Sequence, residues 1–176
     1  VTVSVSEPFS PSKPVVVTHG GLLRLGEDFH PQSTVSVSGF GRITVNGDVT
    51  SALPLTIDDG ELWADTIIAP DLSVVNGGVL TTLPGSTERM HKLELIIAGQ
   101  VLVDATGRID VNEKGYLPGR TTGNAAGATG ASGGSFGGLG VSLDGVANSP
   151  YGDYRSPNDW GSGSGPTIGG TGGGLV

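Results

Sequence analysis

Residues 41–65, GRITVNGDVTSALPLTIDDGELWAD, hold one short phrase twice. Gly41-Arg-Ile-Thr-Val-Asn and Gly60-Glu-Leu-Trp-Ala-Asp each run glycine, polar, apolar, variable, small apolar, then an Asx residue. The phrase recurs at Gly21, Gly78, Gly99 and Gly107. The second position after the glycine is Leu23, Ile43, Leu62, Leu80, Val101 or Ile109, always apolar. The fourth is Leu25, Val45, Ala64, Thr82, Val103 or Val111, small to medium throughout. Asn46, Asp65, Asp104 and Asn112 follow, as a turn requires.

The first five glycines are 20, 19, 18 and 21 residues apart, and Gly107 follows Gly99 by only eight, which reads as a second strand of the same coil. The hydrophobic period is two, with no sustained helical repeat, so strands dominate. A chain that turns a corner at each glycine and lays a strand on its predecessor every ~20 residues forms a parallel β-solenoid. Glycine is expected at such corners because it tolerates positive φ, with Asn and Asp next best. An antiparallel β-sandwich is the alternative, since Asn46-Gly47 and Asn76-Gly77 are also hairpin signals. It accounts for the turns but not for the phrase recurring on the same side of each glycine.

Composition divides the chain near Gly115: 12 glycines precede it and 20 lie from there to the end. The expected organisation is solenoid coils over 1–114, about five or six in number from roughly residue 10, with VTVSV at the start as an edge or capping strand. Residues 115–176 are expected to be a glycine-rich insert packed on the solenoid, with GGGLV at 172–176 starting a further coil. Net charge is -8 with only 9 Lys plus Arg, against a nucleic-acid partner, which needs a basic footprint. No run approaches 18 apolar residues, so no membrane insertion is expected. There is no cysteine, which excludes disulfides and thiolate metal sites.

The block LELIIAGQVLVDATGRIDVNEKGY (93–116) resembles a coil of the right-handed parallel β-helix, pectin-lyase-like, found in large secreted bacterial repeat proteins. GNAAGATGASGGSFGGLG (123–140), PYGDYRSPNDWGSGSG (150–165) and GGTGGGLV (169–176) resemble the glycine-rich insert that follows such a coil in some of them. The resemblance implies an all-β solenoid on a cell surface or outside the cell; it carries no activity with it.

Two clusters have ligand chemistry. Tyr151, Tyr154 and Trp160 could stack on sugar rings while Asp153, Arg155 and Asp159 bond hydroxyls, because pyranose faces are apolar and their edges polar. The structural reading of the same stretch is that its aromatics pin a glycine-rich tail, which has few other hydrophobes, onto the solenoid. Asp58, Asp59 and Glu61 offer oxygen ligands suited to Ca²⁺, although no EF-hand or nonapeptide calcium pattern surrounds them, and solvated turns are the plainer reading. The glycine run 127–140 lacks the GK[ST] ending of a phosphate loop. His19, His30 and His91 form no metal-binding pair, and no serine sits in a nucleophile elbow.

These features favour a non-catalytic structural or adhesive module of a longer extracellular or cell-surface repeat protein. Its partners would be the rest of that chain and a polysaccharide or surface glycan. A carbohydrate-binding or polysaccharide-processing β-helix domain, lyase or hydrolase, is the alternative.

Overall fold

The computed structural model describes residues 1–167 and 169–176. The chain forms two compact units, one of residues 1–83 with 93–110, the other of residues 84–92 with 111–176.

The first unit is a parallel β-solenoid. Its first rung is β1 (Thr2–Val5), a bridge at Phe9 and β2 (Val15–Val17). The second is β3 (Leu22–Leu25), a bridge at Phe29 and β4 (Val35–Val37). Three full strands make each of the next two rungs: β5 (Arg42–Val45), β6 (Asp48–Thr50) and β7 (Leu55–Asp58), then β8 (Glu61–Trp63), β9 (Thr66–Ala69) and β10 (Leu72–Val75). β11 (Val79–Thr81) follows, and after residues 84–92 leave for the second unit the rung resumes as β12 (Glu94–Ile97) and β13 (Val101–Val103), before β14 (Arg108–Ile109). Stacking gives three sheets, ordered β1-β3-β5-β8-β11-β14, β13-β10-β7-β4-β2 and β12-β9-β6. Every pairing among them is parallel, so the antiparallel sandwich is excluded.

Alternation of side chains along each strand builds the interior. Val3, Leu23, Ile43, Leu62, Leu80 and Ile109 stand in one register column. Leu72 and Val74 meet Leu55 and Ile57 on one side and Val101 and Val103 on the other. Phe9 and Phe29 stack at 5.8 Å between ring centres, and Val49 and Ile67 continue their column. Ile43, Ile67, Leu72 and Leu80 are wholly buried, each contributing on the order of 1.5–3 kcal/mol of transfer free energy. The core is therefore narrow and aliphatic, as the scarcity of aromatics requires.

Two expectations need correcting. Val101 belongs to the sheet of β10, and it is Ile109, after Gly107, that continues the Leu23 column. The rung between Gly78 and Gly107 is longer than its predecessors because it contains the departure at 84–92. The recurring glycine also does a different job from the one expected. Positive φ falls on the residues just before it, at His19, Phe40, Asp59 and Asn76. The recurring glycine itself lies where the new rung closes on the old. A Cβ at Gly41 would sit 2.3 Å from the Val17 carbonyl oxygen, at Gly78 2.4 Å from that of Ile57, and at Gly107 2.2 Å from that of Val74. At Gly60 it would sit 2.9 Å from the Val37 carbonyl carbon. Each contact belongs to the strand that ends the rung two before the one the glycine opens.

The second unit contains little regular structure: β15 (Arg120–Thr121) pairs antiparallel with β16 (Ala125–Ala126) around a single 3₁₀ turn at Thr122–Asn124. Glycine-lined segments pack backbone against backbone instead. Gly115 N donates to Gly172 O, Tyr116 N to Gly161 O, Gly119 N to Ser164 O and Gly165 N to Ser132 O. Residues 172–174 of the expected further coil are held inside this unit, Gly172 N donating to Tyr116 O and Gly174 N to Val111 O.

If rung contact fixes the recurring glycines, Gly41→Ala costs about 2–3 kcal/mol in urea unfolding, because the methyl must displace a backbone carbonyl. Gly20→Ala, at φ +69 with nothing near its Cβ, costs about 1 kcal/mol from the left-handed conformation alone. The opposite order would assign the glycines to turn conformation.

Candidate functional site

The first unit carries the chain's whole net charge, with twelve acids against four bases, while the second has five of each. Many of those acids are engaged between rungs. Asp28 Oδ1 accepts the Asp48 N–H at 2.9 Å and Asp71 Oδ1 the Gln100 N–H at 2.8 Å. In each pair a glycine, Gly47 or Gly99, stands where a Cβ would collide with that carboxylate. Asp104 accepts the N–H groups of Asn76, Thr106 and Gly107, which hold its carboxyl far below the usual carboxylate range. Asn46 Nδ2 donates to Gly26 O, 20 residues back.

The residues suggested for Ca²⁺ take part in the same stitching. Asp58, at the end of β7, accepts from Asn76 Nδ2 at 2.8 Å. Asp59 occupies the left-handed corner at φ 54, its amide donating to Val75 O. Glu61 opens β8 and is bound by Arg42 Nε at 2.6 Å and Trp63 Nε1 at 2.8 Å. Arg42 also lies over the Trp63 ring, 4.9 Å from its centre. Burial pushes the Glu61 carboxyl upward, but the hydrogen bonds from Trp63 and Arg42 and the Arg42 charge outweigh it, leaving it below its ordinary value. Among the described residues no group of three or more acids and histidines is arranged to hold a metal ion.

In the second unit the suggested sugar-binding cluster divides. Tyr151 and Trp160 turn their polar edges inward: Tyr151 OH donates to Trp160 O, and Trp160 Nε1 to His91 O at 2.8 Å. Tyr116 packs edge-on against both rings, and Phe136 edge-on against Tyr151. Asp159 accepts from Tyr116 OH at 3.1 Å, Thr122 Oγ1 at 2.9 Å and its neighbour's N–H. Burial raises the phenol pKa of both Tyr116 and Tyr151. Tyr116, Phe136, Tyr151 and Trp160 thus form a small cluster of edge-on rings, with Asp159 bonded to its rim. Asp153, Tyr154 and Arg155 lie outside it. Asp153 Oδ1 closes a turn on Arg155 N, and the Arg155 guanidinium lies 5.3 Å from the centre of the exposed Tyr154 ring.

Two features were not anticipated from sequence. Asn148, inside the stretch NSPYGDYRSPNDW, is a buried hub. Its Oδ1 accepts from Ser135 N, its Nδ2 reaches Thr121 Oγ1 and Ser162 Oγ, and its carbonyl accepts from Ser135 Oγ. A lone Asn among prolines and glycines reads as a turn, so no local signal marks it. The other is Phe40, 81% exposed at φ 59; its signal, an aromatic between two glycines, is visible in GFG. His91 is buried and His19 exposed at a corner.

A concavity of about 530 Å³ opens beside β1 and β2, lined by Val3, Val5, Phe9, Val17 and Leu23. These are the interior-column residues of the first rungs, so this is core packing open at one end. A smaller groove of about 320 Å³ in the second unit runs past Phe136, Pro157 and Asp159, whose carboxylate is already engaged. No family model, curated protein or solved structure matches the chain.

Two measurements follow from this geometry. Asn148→Ala leaves several buried partners unsatisfied and is expected to destabilise the second unit by about 3 kcal/mol. The readout is amide exchange across 115–176, which Tyr154→Ala should leave unchanged. Asp104 has a depressed folded pKa, so its contribution is complete above its unfolded-state value near 3.9 and is lost as pH falls through the folded one. The gap in melting temperature between wild type and Asp104→Asn should therefore close as pH drops below about 4. A gap that stays constant would assign no role to the charge.

Proposed function

We propose that this chain is a non-catalytic structural and adhesive module of a longer extracellular or cell-surface repeat protein. One observation carries the reading: the solenoid spends its chemically versatile side chains on holding rungs together. Asp28, Asp71 and Asp104 each accept a backbone N–H from the adjacent rung. Glu61 is engaged by an arginine and an indole. Catalysis by paired carboxylates requires two such groups aimed at one substrate bond, about 5–10 Å apart and free to exchange protons. Carboxylates whose lone pairs are filled by amides resist protonation and are poor acids. They suit a stiff rod, because every hydrogen bond between rungs opposes bending and shear.

The excess of acids gives the solenoid a negative field that keeps such rods apart and soluble. Stiffness combined with regular exposed edges is what a stalk or spacer needs.

Incubation with polygalacturonate, pectin, chitin and β-glucan, followed by measurement of new reducing ends, is expected to give no release above buffer. Release that Asp104→Asn or Glu61→Gln abolishes would overturn the reading and make the chain a polysaccharide-processing enzyme.

A further inference from the structure

The corner that precedes β3, β5, β8 and β11 is the same in each rung, and the backbone there is left-handed. Gly20, Phe40, Asp59 and Gly77 stand in register at it, at φ 69, 59, 54 and 86, and His19, Gly39 and Asn76 precede the first, second and fourth of them at φ 53, 54 and 54. Asn and Asp enter this region at little cost because their short side chains bond locally. Asn76 does so here, its Nδ2 reaching Asp58 Oδ1 at 2.8 Å. A bulky aromatic has no such compensation. Phe40 nevertheless holds φ 59 with its ring 81% exposed, so burial returns almost nothing for the strain. Its amide donates to Asp59 O at 2.7 Å, and Gly39 and Gly41 flank it with no side chains. The site is thus a bare ledge with one ring standing on it. Strain held without a packing return is the signature of a residue retained for contact with something else.

From this we infer that Phe40 is the stacking residue of a glycan-contact edge along this corner, and that its ligand is a neutral or amino-sugar polysaccharide. Three observations select that class. In register with Phe40 stand Gly20 on one neighbouring rung and Asp59 on the other, the exposed His19 precedes Gly20, and at the same corner Thr18 and Ser38 are hydrogen-bonded to one another at 3.3 Å. A protein partner would instead want an apolar surround to the aromatic anchor. An apolar sugar face on the ring, with hydroxyls to a carboxylate and an imidazole, uses what is present. The corner repeats about every 4.8 Å along the solenoid, so a linear polymer lying along the edge meets one corner after another. Finally, the unit carries twelve acids against four bases, which repels a polyuronate and attracts or tolerates a neutral or aminated chain.

The inference rests on the adhesive reading and names its contact. The test is retention of the full chain on cellulose, chitin and chitosan, with polygalacturonate gel as the acidic control, alongside thermal melting. The wild type should be retained on at least one of the first three and pass through the last. Phe40→Asn should cut retention about tenfold while leaving the melting temperature unchanged or raising it by about 2–4 °C; Phe40→Trp should keep retention. Equal retention of wild type and Phe40→Asn overturns the Phe40 contact and leaves the adhesive reading standing. So does a melting temperature that falls in Phe40→Asn, since the ring would then be structural. Retention on polygalacturonate alone overturns the ligand class. Sugar release from a retaining matrix would overturn the adhesive reading while leaving the contact intact. A wild type retained on none of the matrices overturns this inference outright.

Discussion

Backbone closes on backbone once per rung, and everything else in the solenoid is arranged around that contact. The carbonyls of Val17, Val37, Ile57 and Val74 each lie against the glycine that starts the sheet strand two rungs' worth of corner later, at Gly41, Gly60, Gly78 and Gly107. A side chain there would hold the rungs apart and break the parallel ladders on both sides of the corner. With the contact made, strands register without offset, so Leu23, Ile43, Leu62 and Leu80 superpose and exclude water from a core only a few side chains wide. A narrow core gains little hydrophobic free energy per residue. The rung-to-rung bonds from Asp28, Asp71, Asp104, Asn46 and Asn76 supplement it.

That constraint explains which parts of the fold are legible from sequence. Gly41-Arg-Ile-Thr-Val-Asn and its repeats encode a corner, a strand and an interior column in six letters, and parallel stacking follows. The phrase does not say which corner it marks. Gly99 starts β13 after its own corner, against Asp71 and Pro70, and looks locally like Gly107, which resumes the Leu23 column. The departure at 84–92, with no repeat signature, lengthens the rung before both, so that spacing from Gly78 points to Gly99 rather than Gly107. Positive φ was likewise assigned one residue too late, because a glycine demanded by close approach and one demanded by conformation are the same letter.

The second unit was far less legible. Its order lies in backbone hydrogen bonds such as Gly115 to Gly172 and Tyr116 to Gly161, which leave no hydrophobic pattern. In the aromatic stretch, Tyr151, Trp160 and Asp159 bond to other residues of the second unit, and Tyr154 and Arg155 are exposed. Asn148 at the hub shows how much of such a unit depends on one amide that no local rule singles out. Function divides along similar lines. Asn148 and Asp159 are bonded within the chain, whereas Phe40 has neither burial nor conformational ease to account for it.

Inter-strand NOEs in isotope-labelled protein test parallel stacking most directly. Contacts from Arg42, Ile43 and Thr44 should fall on Glu61, Leu62 and Trp63 in ascending order, with Leu62 linked onward to Leu80. A descending order between those two segments, or contacts from Ile43 to Leu55 across a hairpin, would contradict the stacked-rung structure and the functional reading built on it.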